Sequence, residues 1–210
     1  MNKYKATKLR NIVPPRELIF ATNNKFKLDE IRSLAGKGYR ILSLLDIGFS
    51  GDIPETGSNL TENALQKAVH IHNVFAKDCF ADDTGLEVDV LDGRPGVFSA
   101  RYAGPLCNSE DNINKLLNEM AGVDDRKARF KTVIALVWKG REMFFEGVVE
   151  GEILTEPLGR GGFGYDPIFR PKGFDIAFAQ MSPTLKNSIS HRGKAVQKLI
   201  AFFNTRPSSE

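Results

Sequence analysis

The stretch Glu17-Leu18-Ile19-Phe20-Ala21-Thr22-Asn23-Asn24-Lys25-Phe26-Lys27-Leu28-Asp29-Glu30-Ile31 decides the fold class. Residues 17–21, apolar from Leu18 onward, read as a strand. From there the chain enters a polar turn, and apolar residues then recur at helical spacing. Leu28, Ile31 and Leu34–Ala35 share one face, and Gly36 or Gly38 stops the helix. A strand passing straight into a helix sets up the alternation of an α/β domain. Ile41–Leu45 supplies a second short strand. Residues 59–77 form a long helix with Leu60, Ala64, Ala68, Ile71 and Phe75 as its buried stripe. On that helix Asn63 and Lys67 are four apart and share a different face. Two short strands, Cys79–Asp82 and Leu86–Val90, are expected on either side of Asp83-Thr84-Gly85. A Gly/Pro-rich loop covers 92–104, and Ser109 is positioned to cap a helix carrying Ile113, Leu116, Leu117 and Met120. Ala128–Trp138 and Glu142–Ile153 are β-branched and aromatic-rich around Lys139-Gly140, the pattern of a hairpin. A last helix starts after Ser190 and buries Val196, Leu199, Ile200 and Phe203. Strands and helices alternate early and a hairpin comes late, which gives one α/β domain with a mixed sheet.

Charge sharpens the picture. The 210 residues carry 29 Lys+Arg and 26 Asp+Glu, a net of +3, and the pI is near 8.8. A basic pI invites a nucleic-acid reading. Residues 1–16, however, hold five of the basic residues and no acid, so the remainder carries 24 basic against 26 acidic, a net of −2. The basicity belongs to a polar leader, expected to be disordered, ahead of a domain over 17–204 and a tail over 205–210. No apolar run is long enough to span a membrane, and the first residues lack a secretory signal's apolar region. Cys79 and Cys107 make neither a disulfide framework nor a zinc site, which fits a reducing cytoplasm. His70 and His72 lie two apart on a helix and do not share a face. The basic run 126–131 reads as a solvated strand entry.

Four segments carry chemistry. The turn Thr22–Lys27 leaves helix N-terminal N–H groups free to meet an anion, with lysines beside them, although it also reads as an ordinary polar loop. Glu55 and Asp83 suit a magnesium ion, which takes one or two carboxylates and completes its shell with phosphate oxygens. Asp82 and Asp83 equally read as a strand terminus and turn cap. As neighbours on a strand they point to opposite faces. Gly159–Pro167 packs four glycines into six residues together with Phe163, Tyr165 and Asp166, a backbone that can approach a planar base closely. In Ser190-His191-Arg192, Ser190 is a natural N-cap. Arg192 opposes the helix dipole, the kind of local misfit expected where a site overrides local rules.

In this order the segments resemble the inosine-triphosphate pyrophosphatase family. The matching pieces are Thr22-Asn23-Asn24-Lys25-Phe26-Lys27, Glu55-Thr56-Gly57, Glu62–Ala68, Ala81–Leu86, Pro95–Tyr102, Gly161–Pro167 and Ser190–Gly193. Thr84 stands where that family commonly has Ser. The resemblance implies a long mixed β-sheet with flanking helices, two lobes around a central active-site cleft, and a homodimer. It implies hydrolysis of ITP, dITP and XTP to the monophosphate and pyrophosphate with Mg²⁺. By position, Thr22, Asn24 and Lys27 hold the triphosphate with Lys67, and Asn23, Lys25 and Phe26 complete that segment. Glu55 and Asp83 bind the metal, Asp83 also activates the attacking water, and Thr84 touches substrate. Phe163, Gly164, Tyr165 and Asp166 receive the base, with Lys186, His191 and Arg192 at its edge. A small-molecule nucleotide is then the partner, with neither nucleic acid nor membrane involved. The competing readings are a related septum-formation-inhibitor-like pyrophosphatase and a non-catalytic nucleotide- or RNA-binding module.

Overall fold

The computed structural model describes residues 14–205. Its strands are β1 (Arg16–Phe20), β2 (Tyr39–Leu42), β3 (Cys79–Val88), β4 (Pro95–Gly96), β5 (Lys127–Trp138), β6 (Arg141–Ile153) and β7 (Phe169–Pro171). The helices are α1 (Lys25–Ala35), α2 (Leu60–Phe75), α3 (Ser109–Glu119), α4 (Pro183–Ile189) and α5 (His191–Asn204). One mixed sheet runs β2-β1-β3-β5-β6-β7, with β4 also on β3. β1 is parallel to β2 and β3, and the remaining pairings are antiparallel.

Three apolar clusters fill the space around the sheet. Phe80, Ile134 and Leu136 pack with Ile31 of α1 and with Ala195, Val196 and Leu199 of α5. Cys79, Ala81, Val133 and Ala135 turn to the opposite face, against Ala64, Ala68 and Ile71 of α2. Further along the same strands, Leu86, Val88 and Phe130 join Leu116, Met120, Phe169 and Phe178 in a second lobe. The long strands β3, β5 and β6 serve both lobes. A cleft of about 400 Å³ opens between them, lined from both sides.

The structure changes several expected boundaries. β3 is one strand of 10 residues, not two. Asp83-Thr84-Gly85 reads locally as a turn, but the ladder to β5 continues through Asp83↔Val133, Thr84↔Thr132 and Gly85↔Lys131. A Cβ on Gly85 would lie 2.7 Å from the Gly96 carbonyl oxygen, so glycine here admits β4 rather than breaking β3. Asn108, not Ser109, caps α3, accepting from the Glu110 and Asp111 N–H groups. Arg16, read as part of the leader, starts β1 and pairs with Tyr39. Residues 1–13 of the leader and residues 206–210 of the tail lie outside the described residues. β4, β7 and α4 have no counterpart in the sequence reading, and β4 lies inside the stretch read as a Gly/Pro-rich loop. α4 does carry a readable start, Ser182 as N-cap followed by Pro183. Among the described residues no helix is long and apolar enough to cross a membrane.

Candidate active site

The cleft gathers side chains from the two faces of one strand. On the α2 face stands Asp83. Lys67, buried on α2, donates to Asp83 Oδ1 at 3.0 Å and to Glu55 Oε1 at 2.5 Å. Asn63, one helical turn earlier, donates to Asp83 Oδ2 at 3.4 Å and accepts from the Gly57 N–H at 2.8 Å. That second bond pins the turn carrying Glu55. The turn needs glycine, since a Cβ on Gly57 would lie 2.6 Å from the Glu62 Cβ. Burial raises the Asp83 pKa, with Lys67 working against it. Burial also opposes charge on Lys67, but Asp83 and Glu55 outweigh it and raise its pKa.

On the opposite face Asp82 is fully buried. It accepts from Lys27 Nζ at 3.0 Å and from Arg192 Nε at 3.1 Å. Burial would raise this carboxyl, but Lys27 and then Arg192 hold it well below the usual range. Arg192 is 1% exposed. It also donates through Nη1 to Glu30 and through Nη2 to Thr84 Oγ1 at 3.2 Å. Glu30 in turn accepts from Lys186 Nζ at 2.8 Å, and Lys186 donates to Asp166 Oδ2 at 2.6 Å. The same Asp166 oxygen takes the Phe163 N–H at 2.8 Å, closing the glycine-rich loop.

The β1–α1 turn forms one wall. Asn24 caps α1 by accepting from the Lys27 N–H, and Thr22 accepts from the Asn24 N–H at 3.1 Å. Asn23 Nδ2 donates to the Gly51 carbonyl, tying the turn to a neighbouring loop. The first-turn N–H groups carry no acidic neighbour, so their dipole end meets the cleft unopposed. Phe163 lies 5.0 Å from Lys186 Nζ and 5.5 Å from Arg192 Cζ, and Phe26 stacks on its ring at 5.4 Å. Tyr165 is buried and donates to the Ser99 carbonyl. His191 packs its ring on Phe130 at 4.6 Å, and its Nδ1 is buried without a partner. Burial, then Arg192 and Lys186, hold its pKa well below 6.5.

Thr22, Asn23, Asn24, Lys27, Glu55, Lys67, Asp83 and Thr84 therefore line one cleft together with Phe163, Gly164, Tyr165, Asp166, Lys186, His191 and Arg192. Lys25 and Phe26 do not line it. Lys25 is exposed at the start of α1, and Phe26 reaches the site only through Phe163. Sequence reasoning left out Glu30, placed Asn63 on the Lys67 face without giving it a task, and gave Asp82 no role in the site. Each had a local signal. Glu30 sits three residues after Lys27, and Asn63 four before Lys67, which are the spacings that share a helix face. Arg101 also enters, 3.8 Å from Glu55.

The donor set at Glu55 and Asp83 suits a small hard cation. Both carboxylates converge on the single Lys67 Nζ, so one centre is within reach of both, and two carboxylates are hard oxygen donors. Among the described residues no group of three or more His, Cys, Asp or Glu side chains could enclose a metal. A cation here would draw its remaining ligands from water or substrate.

The Ham1 family profile matches residues 18–202. The chain is 54% identical to a dITP/XTP pyrophosphatase from Christiangramia forsetii, across 90% of this chain and 99% of that one. It is 51% identical to a dITP/XTP pyrophosphatase from Flavobacterium psychrophilum, across 89% and 98%. The Ham1 protein of Staphylococcus aureus superposes with a TM-score of 0.83 at 38% identity, across 91% of this chain and 100% of that one.

Proposed function

The chain belongs to the Ham1 family, and from that premise we propose that it hydrolyses noncanonical purine nucleoside triphosphates such as ITP, dITP and XTP to the monophosphate and pyrophosphate. The observation that carries the reading is the joining in one cleft of a carboxylate–lysine centre (Glu55, Asp83, Lys67) and an aromatic–cation pocket (Phe163, Lys186, Arg192). The first suits a polyphosphate and the second a planar, carbonyl-bearing ring.

Cleavage between the α- and β-phosphates depends on positioning and charge neutralisation more than on covalent help. The α1 N-terminus, Thr22 and Asn24 receive phosphate oxygens, and Lys27 and Lys67 supply charge. Mg²⁺ held by Glu55 and Asp83 would neutralise and orient the triphosphate. Asp83 takes the proton of the attacking water. At the base, Arg192 spends three N–H groups on Asp82, Glu30 and Thr84. A guanidinium has five, so two remain for a 6-keto oxygen. The 6-amino group of adenine offers those donors nothing, and sites built on such bonds discriminate by about 10⁴–10⁵-fold. Phe163 stacks on the ring.

The reading includes a single catalytic domain over 17–204, a homodimer and a cytoplasmic setting. The two free thiols support that setting. Sedimentation equilibrium tests the dimer. The decisive assay measures pyrophosphate release from ITP, dITP, XTP, ATP and GTP with Mg²⁺. ITP, dITP and XTP are expected to lead, and equal rates on all five would overturn the assignment.

A further inference from the structure

One carboxylate buried behind the cleft has no assigned task. Asp82 has no exposed side-chain surface, and both of its oxygens are in use. Oδ1 accepts from Lys27, while Oδ2 accepts from Arg192 Nε and from Thr84 Oγ1 at 3.3 Å. It faces away from Asp83, on the α1/α5 side of β3, so it neither shares the cation centre nor reaches the water that Asp83 serves. Among the described residues it is the one hydrogen-bond partner of Lys27 Nζ. Lys27 stands at the phosphate end of the cleft and Arg192 at the base end.

The connection continues beyond Asp82. Lys27, Asp82, Arg192, Glu30, Lys186 and Asp166 follow one another with alternating charge, from the α1 turn to the glycine-rich loop. Burial makes each link depend on its neighbours, because removing one partner of a buried pair leaves the other charge uncompensated. Asp82 is the link that spans the two ends of the cleft.

We infer that Asp82 is a positioning residue through which base recognition at Arg192 and phosphate binding at Lys27 are energetically coupled. This rests on the proposed placement of phosphate and base. Arg192 shares with Lys27 the compensation of the Asp82 charge. When Arg192 is lost, the carboxylate holds Lys27 more strongly and repels an incoming polyanion. The phosphate end then weakens although nothing at that end has changed.

Inorganic imidotriphosphate, a hydrolysis-resistant triphosphate with no base, isolates the phosphate end. Its binding with Mg²⁺ is measured by calorimetry on the full chain, independently of turnover. Arg192→Ala is expected to weaken it about tenfold. Asp82→Asn is expected to bind it at least as tightly as wild type, while kcat/KM for ITP falls about 100-fold. In Asp82→Asn/Arg192→Ala the tenfold penalty is expected to vanish, the non-additivity of residues acting through one another. Should the alanine variant melt below the assay temperature, Arg192→Met fills much of the same buried volume and takes its place. An equal penalty in both backgrounds, or none in either, overturns the coupling and leaves the proposed function standing. Failure of the wild type to bind imidotriphosphate overturns the phosphate-end reading, and the coupling with it.

Discussion

His191 is buried against Phe130 beside two cations, so its imidazole stays neutral in the folded chain. The unfolded chain protonates it near 6.5. Below that pH the unfolded state binds more protons than the folded state, and stability falls as pH drops from 6.5 toward the depressed folded pKa. The slope from this group is at most about 1.4 kcal/mol per pH unit. Urea titrations between pH 7 and 5 should show it, and His191→Phe, which keeps the ring contact, should show a shallower fall. Asp83→Asn should bind ITP in calorimetry yet lose about 10²–10⁴-fold in kcat, the usual worth of a positioned proton acceptor; near-normal turnover would remove Asp83 from that role. The two thiols should separate cleanly. Cys79 is buried, donates to the Ala68 carbonyl, and has its pKa pushed up to about 12, whereas Cys107 is exposed. Iodoacetamide should alkylate Cys107 alone until the protein unfolds. At this scale the sequence was most legible where chemistry and local geometry coincide. Ser190 as cap is a local fact. The misfit of Arg192 at a helix start was visible too, but its partners Asp82 and Glu30 lie 110 and 162 residues away. No local pattern connects them.

Elements hold these side chains by close approach. β6 crosses the start of α5 at Gly147, where a Cβ would collide with the His191 carbonyl oxygen and lie 2.7 Å from the Ala195 nitrogen. Gly147→Ala should therefore lift the helix that carries His191 and Arg192. Overpacking of this kind costs about 1–3 kcal/mol, readable as a lower urea midpoint, and the KM for ITP should rise with it. The hairpin of β5 and β6, the α2 stripe and the final helix were all readable from periodicity, because their apolar spacing is set by the layer each one covers. β3 was not. Asp-Thr-Gly is turn chemistry by local rules, and only the long-range ladder to β5, together with the partners of Asp83 and Thr84, keeps the chain extended.

Across the whole molecule, a small set of buried charges is gathered at the cleft. Among the described residues, the side chains that line the cleft span 21–192. Removing residues 1–13 should leave kcat/KM for ITP within about twofold of the full chain, because the described residues that line the cleft begin at 21. A larger loss would give the leader a part in catalysis. The two-lobed architecture was legible only through its likeness to a known family, since single elements do not say how a sheet is shared between lobes.

The alternation of β3 carries a last consequence. Asp82 and Asp83 are separated by one peptide bond and by the full thickness of the sheet. Inserting or deleting one residue just ahead of Asp82 would exchange their faces. Such a frame change could leave strand pairing and solubility intact while sending each carboxylate to the wrong set of cations. In a library of length variants, this strand should therefore lose function without losing expression, and selection for folding alone would not detect the damage.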